Sequence, residues 1–181
     1  DCHRMHRPEG DAVLAKKSEA QVCYACHKQQ RADFHKASAH PVRQGLMACS
    51  DCHAPHGSGS AAAMLVKPTL NQTCYNCHAD KRGPLLWEHA PMAEDCSLCH
   101  NAHASPPQDG LAFADHRCGS CHAFGTAGHV SHPMGAKITD PRTGGALYCA
   151  SCHDPHGSSF EYFLAEDPNG RLCVSCHTDK I

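Results

Sequence analysis

Cysteine and histidine are the residues of this 181-residue chain whose type and spacing could do chemistry, with 15 Cys and 18 His in total. Seven times, two cysteines separated by two residues are followed at once by a histidine. The copies begin at Cys23, Cys49, Cys74, Cys96, Cys118, Cys149 and Cys173. In such a C-x-x-C-H motif the two thiols add to the vinyl groups of a heme, and the adjacent histidine binds the iron from one face.

Two other uses of cysteine pairs compete with this interpretation. A disulfide framework suits a cysteine-rich secreted chain, although the odd total of 15 counts against it. Structural zinc also uses C-x-x-C pairs in many folds. Neither use requires a histidine directly after each pair. The sequence therefore predicts covalently bound heme c at seven sites.

The start of the chain resembles the end of a further motif, because Asp1 is followed by Cys2 and His3. Either heme is attached there through a single cysteine or an N-terminal stretch is missing, and an eighth heme is predicted at this position. The predicted attachment residues are Cys2, Cys23, Cys26, Cys49, Cys52, Cys74, Cys77, Cys96, Cys99, Cys118, Cys121, Cys149, Cys152, Cys173 and Cys176. The predicted proximal ligands are His3, His27, His53, His78, His100, His122, His153 and His177.

The motifs form an internal repeat, since their first cysteines are spaced by 26, 25, 22, 22, 31 and 24 residues. Motifs with a second histidine three residues after the first alternate with motifs followed by a His-Pro or His-Ala-Pro element. The sequence thus predicts two-heme repeats at 23–59, 74–105 and 118–159. A half repeat with a linker is predicted at 1–22, and a half repeat carrying the last heme at 173–181.

Histidines outside the motifs are candidates for the second axial ligand, which closes the iron to substrate. The predicted distal ligands are His6, His40, His56, His89, His103, His132 and His156. The remaining His35, His116 and His129 are predicted to be solvated or hydrogen-bonded, with one of them left open as a further ligand.

The pairing of these ligands is predicted from helical geometry. A histidine three residues after a proximal one lies on the same side of a helical turn, so it must serve another heme. Our hypothesis is cross-ligation within each repeat. The pairs would be His56 with His27, His40 with His53, His103 with His78, His89 with His100, His156 with His122 and His132 with His153.

The content of large apolar residues bounds the fold. Leu, Ile, Val and Phe number 24 of 181 residues, fewer than an ordinary globular core requires. The net charge of −2 is low for a disordered chain. We expect a mostly irregular chain with short α-helices at the motifs and almost no sheet, in an extended heme-cored array of two-heme repeats. Further helices are predicted at 13–22 and 85–89, and linkers at 58–63 and 105–110.

The C-x-x-C-H motifs also indicate the cellular compartment, because heme is attached to them outside the cytoplasm. We expect a periplasmic, outer-membrane-associated or extracellular protein, and we interpret the chain as mature or trimmed. No apolar run approaches the length of about 20 residues that a membrane helix needs. A pI near 6.8 and the lack of a basic run argue against binding to nucleic acid.

The segment 74–103, CYNCHADKRGPLLWEHAPMAEDCSLCHNAH, resembles the doubled CxxCH motif of periplasmic decaheme cytochromes of the MtrA/DmsE type, as does the segment 49–57, CSDCHAPHG. The resemblance covers most of the chain. It implies an extended row of bis-histidine hemes, often threaded into an outer-membrane β-barrel porin, that passes electrons to extracellular acceptors or reductases. That family has ten motifs, so the resemblance suggests a truncated decaheme chain. The alternative is a filament subunit, in which His6 of the next copy ligates the heme of His177.

These observations predict a multiheme c-type cytochrome that transfers electrons to redox protein partners. The partners would be a porin and an extracellular cytochrome, or copies of the chain itself. A multiheme reductase of nitrogen or sulfur oxyanions is the alternative, and a binding or sensor protein is a third class. A reductase needs an open heme and a substrate pocket, for which so short a chain per heme leaves little room. No catalytic residue is predicted.

Overall fold

Residues 2–59, 63–104, 118–122 and 135–180 are described by a computed structural model. They contain five α-helices, which are α1 (Glu19–Cys23), α2 (Lys28–Asp33), α3 (Leu70–Cys74), α4 (Ala90–Glu94) and α5 (Arg171–Val174). Strands β1 (Gly135–Thr139) and β2 (Ala146–Leu147) form an antiparallel pair in which Gly135 lies opposite Leu147. The predicted fold class, mostly irregular with short helices and almost no sheet, is confirmed for this part of the chain.

Short helices carry the C-x-x-C-H motifs in two ways. Helices α1 and α3 each lead into the first cysteine of a motif, and each is started by a capping side chain. The Ser18 hydroxyl accepts the N–H of Gln21 at 3.4 Å, and the Thr69 hydroxyl accepts that of Gln72 at 3.1 Å. Other motifs begin in a 3-10 turn, at Cys49–Asp51, Cys96–Leu98 and Cys149–Ser151.

The helix predicted at 13–22 is wrong in its first half. Helix α1 begins only at Glu19, and Ala12 and Val13 have φ values of 52° and 53°. This left-handed pair turns the chain so that Leu14 forms a β-bridge with His3. A long-range pairing has replaced the local preference for a helix.

The helix predicted at 85–89 is also wrong. Trp87 instead forms a β-bridge with Ser158, and both N···O distances are 3.0 Å. Helix α4 follows at Ala90 and has Pro91 in its first turn, where a proline costs no hydrogen bond. Of the predicted linkers, 105–110 lies wholly and 58–63 partly outside the described residues.

Buried apolar side chains are few in the described part of the chain. They are Ala15, Phe34, Val42, Leu65 and Ala104, whereas an ordinary core residue touches many others of its kind. The contacts divide the chain into a first unit, Asp1–Cys77 with His100–Pro106, and a second, His78–Cys99 with Pro107–Ile181. Within the described ranges, every helix is too short or too polar to cross a bilayer. The boundaries of the two-heme repeats stay a prediction.

Candidate heme sites

Five of the described C-x-x-C-H motifs curl into one helical turn. The N–H of the histidine donates to the carbonyl of the first cysteine at 2.8–2.9 Å in the motifs that end at His27, His53, His122, His153 and His177. This is the four-residue spacing of an α-helical hydrogen bond. It brings the two thiols and the imidazole to one short turn, as a group held by all three requires.

A hairpin recurs at 2–15, 52–66 and 152–165, and we call it the anchoring loop. Two copies follow complete motifs, and the copy at 2–15 follows the partial motif of Cys2 and His3. In each copy the residue after the histidine donates its N–H to a carbonyl in the returning strand, at 2.7–2.8 Å. The residue after that carbonyl is a leucine, and it forms a β-bridge with the histidine; these leucines are Leu14, Leu65 and Leu164. The residues around Cys2 and His3 therefore have the same local structure as two complete motifs.

The anchoring loop fixes the orientation of the proximal imidazole. Nδ1 lies 3.1 Å from the Ala12 carbonyl in His3, 2.8 Å from the Ala63 carbonyl in His53, and 2.7 Å from the Tyr162 carbonyl in His153. A carbonyl only accepts, so Nδ1 carries the proton. The lone pair is then on Nε2, the ring atom that would bind iron, and such hydrogen bonds hold metal-binding histidines in place.

The carbonyl of each loop is presented by two consecutive residues in the left-handed region. In the middle copy these are Ala63 and Met64, with φ values of 50° and 49°. Glycine in place of alanine would relieve about 1–2 kcal/mol of strain in the left-handed region. It would cost roughly 0.5–1 kcal/mol through the greater freedom of the unfolded chain, so the gain exceeds the cost. We therefore expect Ala63→Gly to raise the free energy of unfolding, measured with guanidinium on the heme-loaded protein. Ala54→Gly, on the opposite strand, should lower it; equal losses would contradict a strained loop.

In the described part of the chain, three pairs of imidazole rings face each other. Their centroids are as far apart as those of two histidines that bind one iron. Ring centroids are 5.8 Å apart for His3 and His56 and 6.1 Å apart for His53 and His103, both in the first unit. In the second unit His89 and His122 are 6.0 Å apart. A metal bound to two Nε2 atoms at about 2 Å separates the centroids by roughly 6 Å. These residues therefore fit an iron held between two histidines.

The ring pairs differ from the pairing that we predicted within repeats, and they correct it. His56 faces His3 rather than His27, and His103 faces His53 rather than His78. His122 faces His89 rather than His156. In the two described cases, His56 and His103, the histidine three residues after a proximal one faces the proximal histidine of another motif. That motif belongs to a neighbouring repeat.

Distal rings are anchored by backbone carbonyls as well. Nδ1 of His40 lies 2.7 Å from the Ala102 carbonyl, and Nδ1 of His89 lies 2.8 Å from the Pro155 carbonyl. Both carbonyls belong to the residue just before the second histidine of a motif. For His103, burial lowers the pKa of the ring, so it stays neutral and keeps a lone pair for iron.

Cysteines of successive motifs lie close together. The thiols of Cys23 and Cys49 are in hydrogen-bonding contact, and burial raises the pKa of Cys49 to about 12. With Glu19 they form a cluster whose ligand atoms lie within 4.8 Å of one another. The Glu19 carboxylate already accepts hydrogen bonds from the N–H and hydroxyl of Ser50, each at 2.7 Å. Zinc requires thiolates, and such protonated thiols fit covalent heme attachment better.

Other predicted residues are placed as follows. The His156 ring lies 3.0 Å from the Asp154 carboxylate, and the exposed His6 ring makes no hydrogen bond or ring contact within the described ranges. His35 bonds the Arg31 carbonyl at 2.7 Å, in agreement with its predicted hydrogen-bonding role. The predicted distal ligand His132 and the predicted solvated or hydrogen-bonded rings of His116 and His129 lie outside the described residues.

A buried ion pair inside the last complete repeat was not predicted from the sequence. Asp140 is 1% exposed, and its carboxylate accepts bonds from Arg142 Nε at 3.0 Å and Nη2 at 2.6 Å. Arg142 also donates to the Ser151 carbonyl, inside the motif that ends at His153. These bonds lower the pKa of Asp140 to about 2. The pair ties the loop between β1 and β2 to a heme motif.

Comparison with known proteins agrees with this geometry. The family model described as the doubled CXXCH motif matches residues 1–32, 40–83, 89–127 and 140–181. The chain belongs to this family. The doubled-CXXCH chain is also 43% identical over 179 residues to the multiheme cytochrome MtrA of Shewanella baltica (strain OS185), an alignment that covers 94% of this chain and 50% of the relative.

The doubled-CXXCH chain thus spans about half the length of the curated relative that it matches. It is a multiheme c-type cytochrome of the MtrA type, as the sequence predicted, and heme c is its covalently bound cofactor. The first matched range, 1–32, includes Cys2 and His3 as well as the motif that begins at Cys23.

Proposed function

We propose that this chain conducts electrons along a series of bis-histidine hemes, in the periplasm or from the periplasm to the cell exterior. The observation that carries the proposal is the set of three imidazole pairs with centroids 5.8–6.1 Å apart. When bound, heme c supplies a one-electron iron couple, and its reactivity depends on the axial positions. Imidazoles on both faces exclude substrate from the iron, which favours electron transfer over catalysis.

Different residues attach, ligate and orient each heme. Paired cysteines attach the heme, the proximal histidines bind from one face, and His56, His103 and His89 bind from the other at His3, His53 and His122. Backbone carbonyls at Nδ1 hold the rings in one orientation, so little reorganisation accompanies a change of oxidation state. The anchoring loop at 2–15 supports an eighth heme at Cys2 and His3.

The family supports the proposed partners and location. An electron conductor needs redox proteins as donor and acceptor, and we propose a porin together with an extracellular cytochrome. Copies of this chain in a filament are the alternative partner. The proposed location is the periplasm, the outer membrane or the cell exterior, where heme is attached to such motifs.

Spectroscopy on the heme-loaded protein tests the proposal. We expect a low-spin spectrum that neither cyanide nor nitrite changes, an intact mass that corresponds to eight hemes, and reversible reduction of all of them at an electrode. A high-spin fraction that binds nitrite and reduces it would instead support the oxyanion reductase. A mass that corresponds to seven hemes would remove Cys2 and His3 from the attachment sites.

A further inference from the structure

Asp154 is the residue that distinguishes the environment of one predicted distal ligand. Its Oδ1 atom accepts the backbone N–H of His156 at 2.9 Å and lies 3.0 Å from Nδ1 of the same ring. Both side chains are partly buried, with exposures of 38% for Asp154 and 30% for His156. Because a carboxylate only accepts, the Nδ1–H donates to it and the lone pair of the ring is on Nε2.

Five other predicted ligand rings bond to neutral groups. Backbone carbonyls face Nδ1 in the five rings described above, which are His3, His40, His53, His89 and His153. The position of Asp154 is occupied by Asn101 in the preceding repeat. There the Asn101 side chain accepts the N–H of His103 at 3.0 Å in the same turn, while the His103 ring contacts Phe34 and His53.

A charged hydrogen-bond acceptor changes the basicity of a histidine ligand more than a neutral acceptor does. Hydrogen bonds to an ionised group are about twice as strong as those between neutral groups. The carboxylate draws the Nδ1 proton towards itself and thereby makes Nε2 more basic, as acceptors behind metal-binding histidines do. A more basic ligand stabilises Fe(III) relative to Fe(II), so the reduction potential falls.

We propose that Asp154 is a positioning residue that makes the heme bound by His156 more reducing than hemes whose ligands bond only to backbone carbonyls. The inference rests on the proposed electron conduit and on the prediction that His156 is an axial ligand. The reduction potential is then lower at one heme of the series. An electron occupies that heme less often than the neighbouring hemes, and the lower potential affects the rate of electron transfer through it.

Reciprocal substitutions of the two equivalent residues test this inference. Asp154→Asn keeps the turn to His156 and removes the charge, whereas Asn101→Asp introduces the charge behind His103. Asp167→Asn is the matched control, since Asp167 accepts the Asn169 N–H at 2.8 Å in a similar turn. All three are compared with the unaltered heme-loaded protein by redox titration followed by electron paramagnetic resonance.

We expect Asp154→Asn to raise the midpoint of one heme by a tenfold change in its oxidised-to-reduced ratio, or about 59 mV. Asn101→Asp should lower another midpoint, and each variant should shift the low-spin signal of one heme. The inference is overturned if Asp154→Asn changes the titration no more than Asp167→Asn does. A high-spin unaltered protein would contradict the conduit itself, so the two failures are distinguishable.

Discussion

Replacing His56 with alanine is expected to convert one heme, the one bound by His3, from a low-spin six-coordinate to a high-spin five-coordinate form. The His56 ring is the one that faces His3, with centroids 5.8 Å apart, and alanine leaves that axial position open. Electron paramagnetic resonance should show about one high-spin heme per protein, and cyanide should restore the low-spin form.

Loss of individual hemes identifies the partner of His56. In a Cys2→Ser background the heme of His3 is expected to be absent, and His56→Ala should then add no high-spin signal. In a background with Cys23→Ser and Cys26→Ser, the signal should persist. The reverse outcome would restore the pairing of His56 with His27 within one repeat. His35→Ala is the control, because that ring bonds the Arg31 carbonyl of its own helix.

Arg142→Met is expected to lower the free energy of unfolding by about 3–5 kcal/mol, the usual cost of leaving a buried charge without its partner. The charge is that of Asp140, which is 1% exposed. Guanidinium unfolding followed by circular dichroism of the heme bands measures the loss. Asp140→Asn added to Arg142→Met should recover most of it, since no buried charge then remains.

A surface ion pair provides the matched control for Arg142. Arg171 lies 3.8 Å from Glu166, and their side chains are 79% and 44% exposed. Arg171→Met should cost less than about 1 kcal/mol. Equal losses for the two arginine variants would mean that the charge of Asp140 does not determine the stability of this region.

The dependence of the Arg142 effect on pH follows from the lowered pKa of Asp140. Its value falls from 3.8 to about 2 because Arg142 donates hydrogen bonds to the carboxylate. A lowered pKa contributes stability that is fully present above the unfolded value and is lost as pH falls through the folded value. In Arg142→Met the buried Asp140 has lost its partner, so burial should raise the pKa of its carboxyl. The difference between the unaltered protein and Arg142→Met should therefore be largest near neutral pH and narrow as pH falls towards about 2.

The sequence predicts the heme c cofactor and the fold class well because both depend on local patterns. C-x-x-C-H is read within five residues, and the scarcity of large apolar side chains needs no knowledge of contacts. Ring pairing is different. A shift by one repeat keeps every local pattern and exchanges every partner, so the choice between His3 and His27 for His56 could not be made from spacing alone.

The anchoring loop was missed because its turn residues give the wrong local signal. Ala12 and Val13 favour a helix or a strand, and no glycine marks their left-handed conformation. Aligning the three copies would have revealed a leucine at nearly the same distance after each proximal histidine, at Leu14, Leu65 and Leu164. The buried pair of Asp140 and Arg142 had no such signal, because burial is a property of the fold.

The facing of rings from neighbouring repeats also bears on how the heme sites are completed. The ring that faces His3 comes from the following repeat, as does the ring that faces His53. In the proposed conduit, each of these two hemes would therefore gain its second ligand only when the following repeat is present. Without that repeat, the iron would be open to small molecules such as cyanide or nitric oxide.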